Sequence, residues 1–145
     1  MKKSVSVLAV MTCMVAVTHG QEVRTGTFKS VSGDVRLSRN GQSQAVAPGT
    51  GVVEKDRIVT GKEARATLTF KDGMVLAIGP GTTLDLPATR FDTTTQDGGM
   101  AIHVLKGSLR LVTGWLGKLH PEKLKITTPT SVVGLRGTDV IVEVP

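Results

Sequence analysis

Side chains able to do chemistry are few in this chain, and they are widely spaced. Asp34, Asp56, Asp72, Asp85 and Asp139 each stand beside a turn. An Asp-x-Asp-x-Asp run would offer hard oxygen ligands to calcium, but none occurs, and an aspartate in a turn ordinarily bonds its own backbone. His103 lies in an apolar stretch and His120 beside Pro121, with no His-x-x-x-His spacing and a single cysteine, Cys13. That set does not compose a zinc site. Ser108 and Ser131 lack the glycine-framed elbow that exposes a nucleophile, and no histidine and acid fall into pattern with them. Two converging carboxylates would serve glycoside hydrolysis, yet no spacing selects which two. The expectation is a protein that is not an enzyme and needs neither metal nor cofactor.

Two further features bear on binding. Arg136 lies within Gly134-Leu135-Arg136-Gly137. Its guanidinium either ties turns together, through carbonyls or through Asp72 or Asp139, or forms a fork for an anion. The flanking glycines suit a tight backbone and favour the structural reading. Trp115 and Leu116, with Leu119 and His120, make one apolar island in an irregular stretch. The island reads as a cap folded over the end of a sheet or as a contact surface for a partner or glycan, since exposed Trp is enriched at binding hot spots. These four residues are the candidate contacts. Asp72, Gly73, Arg136, Gly137 and Asp139 are the candidate structural motif.

Strands must position all of them. Ala66, Leu68 and Phe70 alternate with polar residues, as do Met74, Leu76 and Ile78, and Asp72-Gly73 lies between the two runs. Period-two alternation joined through Asp-Gly predicts a hairpin with one buried face. A two-residue turn would pair Lys71 with Met74 and split the apolar set. A three-residue loop, Lys71-Asp72-Gly73, pairs Phe70 with Met74 and keeps all six apolar residues together, because a one-residue slip moves every side chain across the sheet. The left-handed position then falls on Gly73. A corner between strands of a roll is the alternative, using the same glycine.

Elsewhere Ser32-Gly33-Asp34, Asn40-Gly41 and Pro48-Gly49 mark turns. Short strand cores follow at Val52/Val53 and Ile58/Val59, then Thr83 to Leu86 stopped by Pro87. Residues 88–100 read as a polar surface loop. Ala101 to Val112 reads as a strand with a kink at Lys106-Gly107, and Thr113 to Lys123 as irregular. Leu124 to Thr128, Ser131 to Val133 and Thr138 to Val144 close the chain. Gly33-Asp34-Val35, Gly73-Met74-Val75 and Gly107-Ser108-Leu109 recur loosely, as stacked strands or as ordinary turns would give. The pattern predicts one all-β domain of short strands, a β-roll or short solenoid-like two-sheet structure.

Met1-Lys2-Lys3, an apolar run from Val5 to Val17 and a small residue before Gln21 read as a secretory leader, residues 1–20, cleaved after Gly20. The run is shorter than the ~20 residues of a spanning helix, so no permanent membrane anchor is expected. Val10-Met11-Thr12 before Cys13 lacks the small residue of a lipidation site. The remainder, residues 21–145, has no cysteine, which fits a bacterial periplasmic or secreted protein held together without disulfides. Of 18 basic and 12 acidic residues, two lysines fall in the leader, leaving a mild net charge of about +4. With three Phe, one Trp and no Tyr, stacking platforms for nucleic acid are lacking.

Three segments together resemble the FecR domain, a bacterial periplasmic module. They are Asp56-Arg57-Ile58-Val59-Thr60-Gly61 with Arg65 to Phe70 and Asp72-Gly73; Leu105-Lys106-Gly107-Ser108-Leu109-Arg110; and Thr127 to Val140, ending in Val-Gly-Leu-Arg-Gly-Thr-Asp-Val. The resemblance runs from about Gly33 to Val144. Lys55 departs from it where the family usually has Gly before Asp56, and Met74 where Ser is common after the Asp-Gly. The resemblance implies a periplasmic protein-binding or envelope-signalling accessory module, with another envelope protein as partner. A carbohydrate- or peptidoglycan-binding module is the alternative, with cell-wall glycan as ligand. The leader abuts the resembling region, so a direct sigma-factor activity is not carried over.

Overall fold

The computed structural model describes residues 23–135 and 139–145. Among them a single curled sheet folds along a line of corners into two leaves. One leaf takes β2 (Val35–Arg39), β3 (Gln42–Ala45), β5 (Arg57–Thr60), β8 (Thr83–Asp92) and the first part of β9 (Asp97–Val112), in the order β3-β2-β5-β8-β9. The other takes β1 (Gly26–Ser32), β4 (Gly51–Val52), β6 (Arg65–Phe70), β7 (Val75–Ile78) and the end of β9, in the order β4-β1-β6-β7-β9. β10 (Leu124–Thr127) pairs in parallel with the start of β9 and carries β11 (Val132–Val133). β12 (Asp139–Val144) pairs antiparallel with the end of β9. This is the expected all-β roll.

The predicted hairpin is present in the predicted register. Leu68 faces Leu76 and Thr69 faces Val75, and the Phe70 N–H donates to the Met74 carbonyl at 2.9 Å. Gly73 closes the loop at φ +83°, where a β-carbon carries a penalty. Ala66, Leu68, Phe70, Met74, Leu76 and Ile78 are all buried. They share one core with Leu37, Ile58, Leu84, Ile102 and Ile126 of the facing leaf.

The corners explain the loose glycine recurrence only in part. Gly33 and Gly107 stand where the chain passes from leaf to leaf, whereas Gly73 is a hairpin tip. Neighbouring corners stack through the backbone: Gly61 N–H donates to the Asp34 carbonyl at 2.9 Å, and Gly81 N–H donates to Gly61 at 2.8 Å. Lys106-Gly107 is the kink of β9, at φ +96° on Gly107.

Three expectations need correction. Pro87 does not end its strand; β8 runs through it, because the pairing with β9 is irregular between Asp85 and Ala88 and asks no N–H of the proline there. Residues 88–100 are not a solvated loop. Thr89 pairs with Met100 and Phe91 with Gly98, so the stretch is an extended β8–β9 hairpin whose inward residues Thr89 and Met100 are buried. The stretch from Thr113 likewise gains structure, winding into α1 (Trp115–Leu119) and a 3-10 turn at Pro121–Lys123. No helix among the described residues is long and apolar enough to cross a membrane.

Candidate functional site

At the end of the roll where β6 turns into β7, the hairpin tip meets α1 and the β8–β9 hairpin. The Asp72 carbonyl accepts the Trp115 N–H at 2.9 Å, which seats α1 on the tip. Asp72 Oδ1 accepts the Met74 N–H at 2.9 Å, a carboxylate bonding its own turn. Its Oδ2 is buried and has no hydrogen-bond partner among the described residues. Burial pushes the Asp72 carboxyl above the usual carboxylate range, with the Met74 amide opposing that rise.

Leu116 is fully buried and anchors α1, so it belongs to the core and not to a contact surface. Trp115 is half-buried, its ring edge-on to Phe91 at 6.1 Å between centroids, and Phe91 packs in turn on Phe70 at 6.2 Å. Offset and edge contacts of this kind are the favoured geometry of aromatic pairs. Leu119 is exposed, and His120 sits at the helix end with Nδ1 3.7 Å from Glu122 Oε1. Of the four residues grouped in the sequence, three therefore reach the surface and one does not. Arg136 and Gly137 lie outside the described residues. Asp139 has Arg110 as a partner, with Nε donating to Oδ1 at 3.0 Å, and that guanidinium holds its carboxyl below the usual range.

Asp56 does more than turn a loop. Its buried carboxylate receives Arg39 Nε at 2.8 Å, Arg39 Nη2 at 2.7 Å and the Val53 N–H at 2.8 Å. Ser108 and Ser131 serve structure as well: Ser108 N–H donates to Thr82 Oγ1, and Ser131 shares a turn with Thr128. His103 Nδ1 lies 2.8 Å from Thr127 Oγ1, across the parallel pairing of β9 and β10. No cluster of three metal-ligating side chains occurs among the described residues.

Phe91 also lines an open cleft of about 900 Å³. Val53 and Lys55 border it from the β4–β5 turn, Lys71 from the hairpin tip, and Arg90 and Asp97 from the β8–β9 hairpin. Thr25 and Thr89 are buried at its lining and joined by a 3.0 Å hydrogen bond. Sequence reasoning missed this cleft, because its walls come from five separate segments and one of them has the composition of a loop. The positive charges of the segments were visible; their convergence was not.

The model of the FecR protein family matches residues 56–144. This chain belongs to the FecR family. FecR is a signalling and regulatory family, and its domain is that of an envelope-signalling regulator. The match opens at buried Asp56 and spans β5 to β12, so the FecR residues supply the whole shared strand β9 and strands of both leaves. β1 to β4 precede the match and complete the leaves on either side. No curated protein and no solved structure matches the chain.

Proposed function

We propose that this chain is an exported, non-catalytic FecR module that serves envelope signalling by binding a partner protein. The observation that carries the reading is β12, which pairs with β9 along one side only, among the described residues. Its outward Ile141 is 67% exposed. An edge strand with free backbone groups and an exposed apolar side chain is a template for strand addition by another chain. Antiparallel pairing with a second copy centred on Ile141 would set Asp139 opposite Glu143, and like charges directly opposite are unfavourable. The edge therefore suits a different protein better than a copy of itself. The leader read from residues 1–20 supplies the export, and the half-buried Trp115 with exposed Leu119 supplies a second patch.

The test is cross-linked capture from an envelope extract with the wild type, Ile141→Lys and Trp115→Ala. A partner retained by the wild type and lost with Ile141→Lys is expected. Capture indifferent to Ile141→Lys would overturn the edge reading. Retention on murein sacculi that disappears with Trp115→Ala would replace it with the glycan-binding alternative.

A further inference from the structure

We propose that the cleft beside Phe91 is a binding site for an acidic peptide segment of a partner protein. This rests on the partner-binding reading above and names the chemistry of one of its contacts. Four cations line the cleft, Lys55, Lys71, Arg90 and Lys123, against three carboxylates. Two of the carboxylates are already engaged. Asp92 Oδ1 accepts the N–H groups of Thr94 at 2.9 Å and Thr95 at 3.2 Å. Asp97 is paired with the Lys123 amine and accepts the Gly98 N–H at 2.8 Å. Glu54 is the remaining acid of the lining. Lys55, Lys71 and Arg90 have no ion pair or hydrogen bond from their side chains among the described residues. With the Asp97–Lys123 pair set aside, the cleft presents three unpaired cations from three different elements against two carboxylates, Glu54 and Asp92, because the backbone hydrogen bonds fix Asp92 without cancelling its charge. A concavity with that imbalance concentrates the field and attracts anions.

The backbone at Lys55 points the same way. Lys55 has φ +72°, the left-handed region that L-residues avoid and glycine accepts freely. It is not free to relax, because its N–H donates to the Leu86 carbonyl at 2.7 Å within the pairing of the β4–β5 turn and β8. A long charged side chain where the backbone favours glycine breaks a local rule, and such breaks concentrate at functional positions. Here that side chain borders the cleft.

The lining favours a peptide over a sugar acid. The one aromatic of the cleft, Phe91, is half-buried and already packed against Phe70 and Trp115, which leaves a poor platform for a sugar ring. Carboxylates spaced along an extended backbone, by contrast, reach cations set on separate elements, and Arg90 offers a planar fork to one of them.

The test is fluorescence anisotropy of fluorescein-labelled hexaglutamate titrated with the full chain, with hexaglutamine and trigalacturonate as competitors. Saturable hexaglutamate binding that weakens as salt rises from about 20 mM to about 200 mM is expected. Lys71→Gln and Arg90→Gln should each lower affinity roughly tenfold. Lys55→Gly should lower it as much while the melting temperature holds or rises, an outcome that a merely structural lysine would not give. Hexaglutamine competing as well as hexaglutamate, or affinity unmoved by all three substitutions, would overturn the proposal. Trigalacturonate competing better than hexaglutamate would overturn the peptide class. Absent hexaglutamate binding beside intact capture through β12 would sink the cleft alone and leave the edge reading standing.

Discussion

A β-carbon placed on Gly107 would stand 2.4 Å from the Cα of Thr82. Thr82 is fully buried, and its Oγ1 receives the Ser108 N–H at 3.0 Å while donating toward the Gly79 carbonyl at 2.8 Å. The bend of β9 is therefore seated on a packed threonine with no spare volume. Gly107→Ala combines a left-handed alanine, about 1–2 kcal/mol, with overpacking of about 1–3 kcal/mol. A loss of about 3 kcal/mol in urea unfolding is expected. An alanine variant within 0.5 kcal/mol of wild type, about the scatter of neutral surface changes, would show that the corner yields.

Leu116 and Leu119 lie one helical turn apart but differ in what they hold. Leu116→Ala removes a fully buried side chain and should cost about 2–5 kcal/mol. Leu119, 52% exposed, should tolerate alanine within about 0.5 kcal/mol. Thermal melts of the two variants check the contrast.

Asp72 should make the fold less stable as pH rises. Its carboxyl is raised in the folded state by burial, so the native protein holds that proton more tightly than the unfolded chain. The resulting stability is complete below the ordinary aspartate value of about 3.9 and is lost as pH climbs through the raised one. Comparing urea midpoints from pH 4 to 7, Asp72→Asn should flatten part of the wild-type decline. Superimposable profiles would show that Asp72 ionises as it does in the unfolded chain.

Asp139 should act in the opposite direction. Arg110 holds its carboxyl low, so the pair contributes above the ordinary aspartate range and is lost as pH falls through the depressed value. Asp139 faces Val112 at the start of β12, and Arg110 lies on the adjoining strand. Protection factors at the β12 amides, taken against the intrinsic exchange rate at each pH, should fall selectively on acidification, and Asp139→Asn should show the lowered protection already at neutral pH.

Much of the fold was legible because the chain writes it locally. Asp72-Gly73 between two alternating runs permits a single register that keeps six apolar side chains together, and the hairpin adopts it. The β8–β9 hairpin was illegible for the converse reason. Between Ala88 and Gly99 its outward strand positions include arginine, aspartate and glycine, its inward ones include Thr89 and Gly98, and its turn is threonine-rich, so the composition matches a loop. Pro87 hid the strand further by sitting where the pairing breaks. α1, with five residues, is too short to show a helical period. For the contact residues, the sequence located the island at Trp115 but had no means of separating buried Leu116 from exposed Leu119. The cleft depends on non-local closure, with Lys55, Lys71 and Arg90 meeting only after β4, β6 and β8 are in place.

One strand belongs to both leaves. β9 pairs with β8 and β10 before Gly107, and with β7 and β12 from there on. Neither leaf is complete until that single segment has docked, and its docking joins residues far apart in the chain. Folding should therefore behave as one all-or-none event whose barrier is dominated by loop-closure entropy, with no half-folded roll accumulating on the way. An event that pried β9 from either leaf would be felt across the whole domain at once.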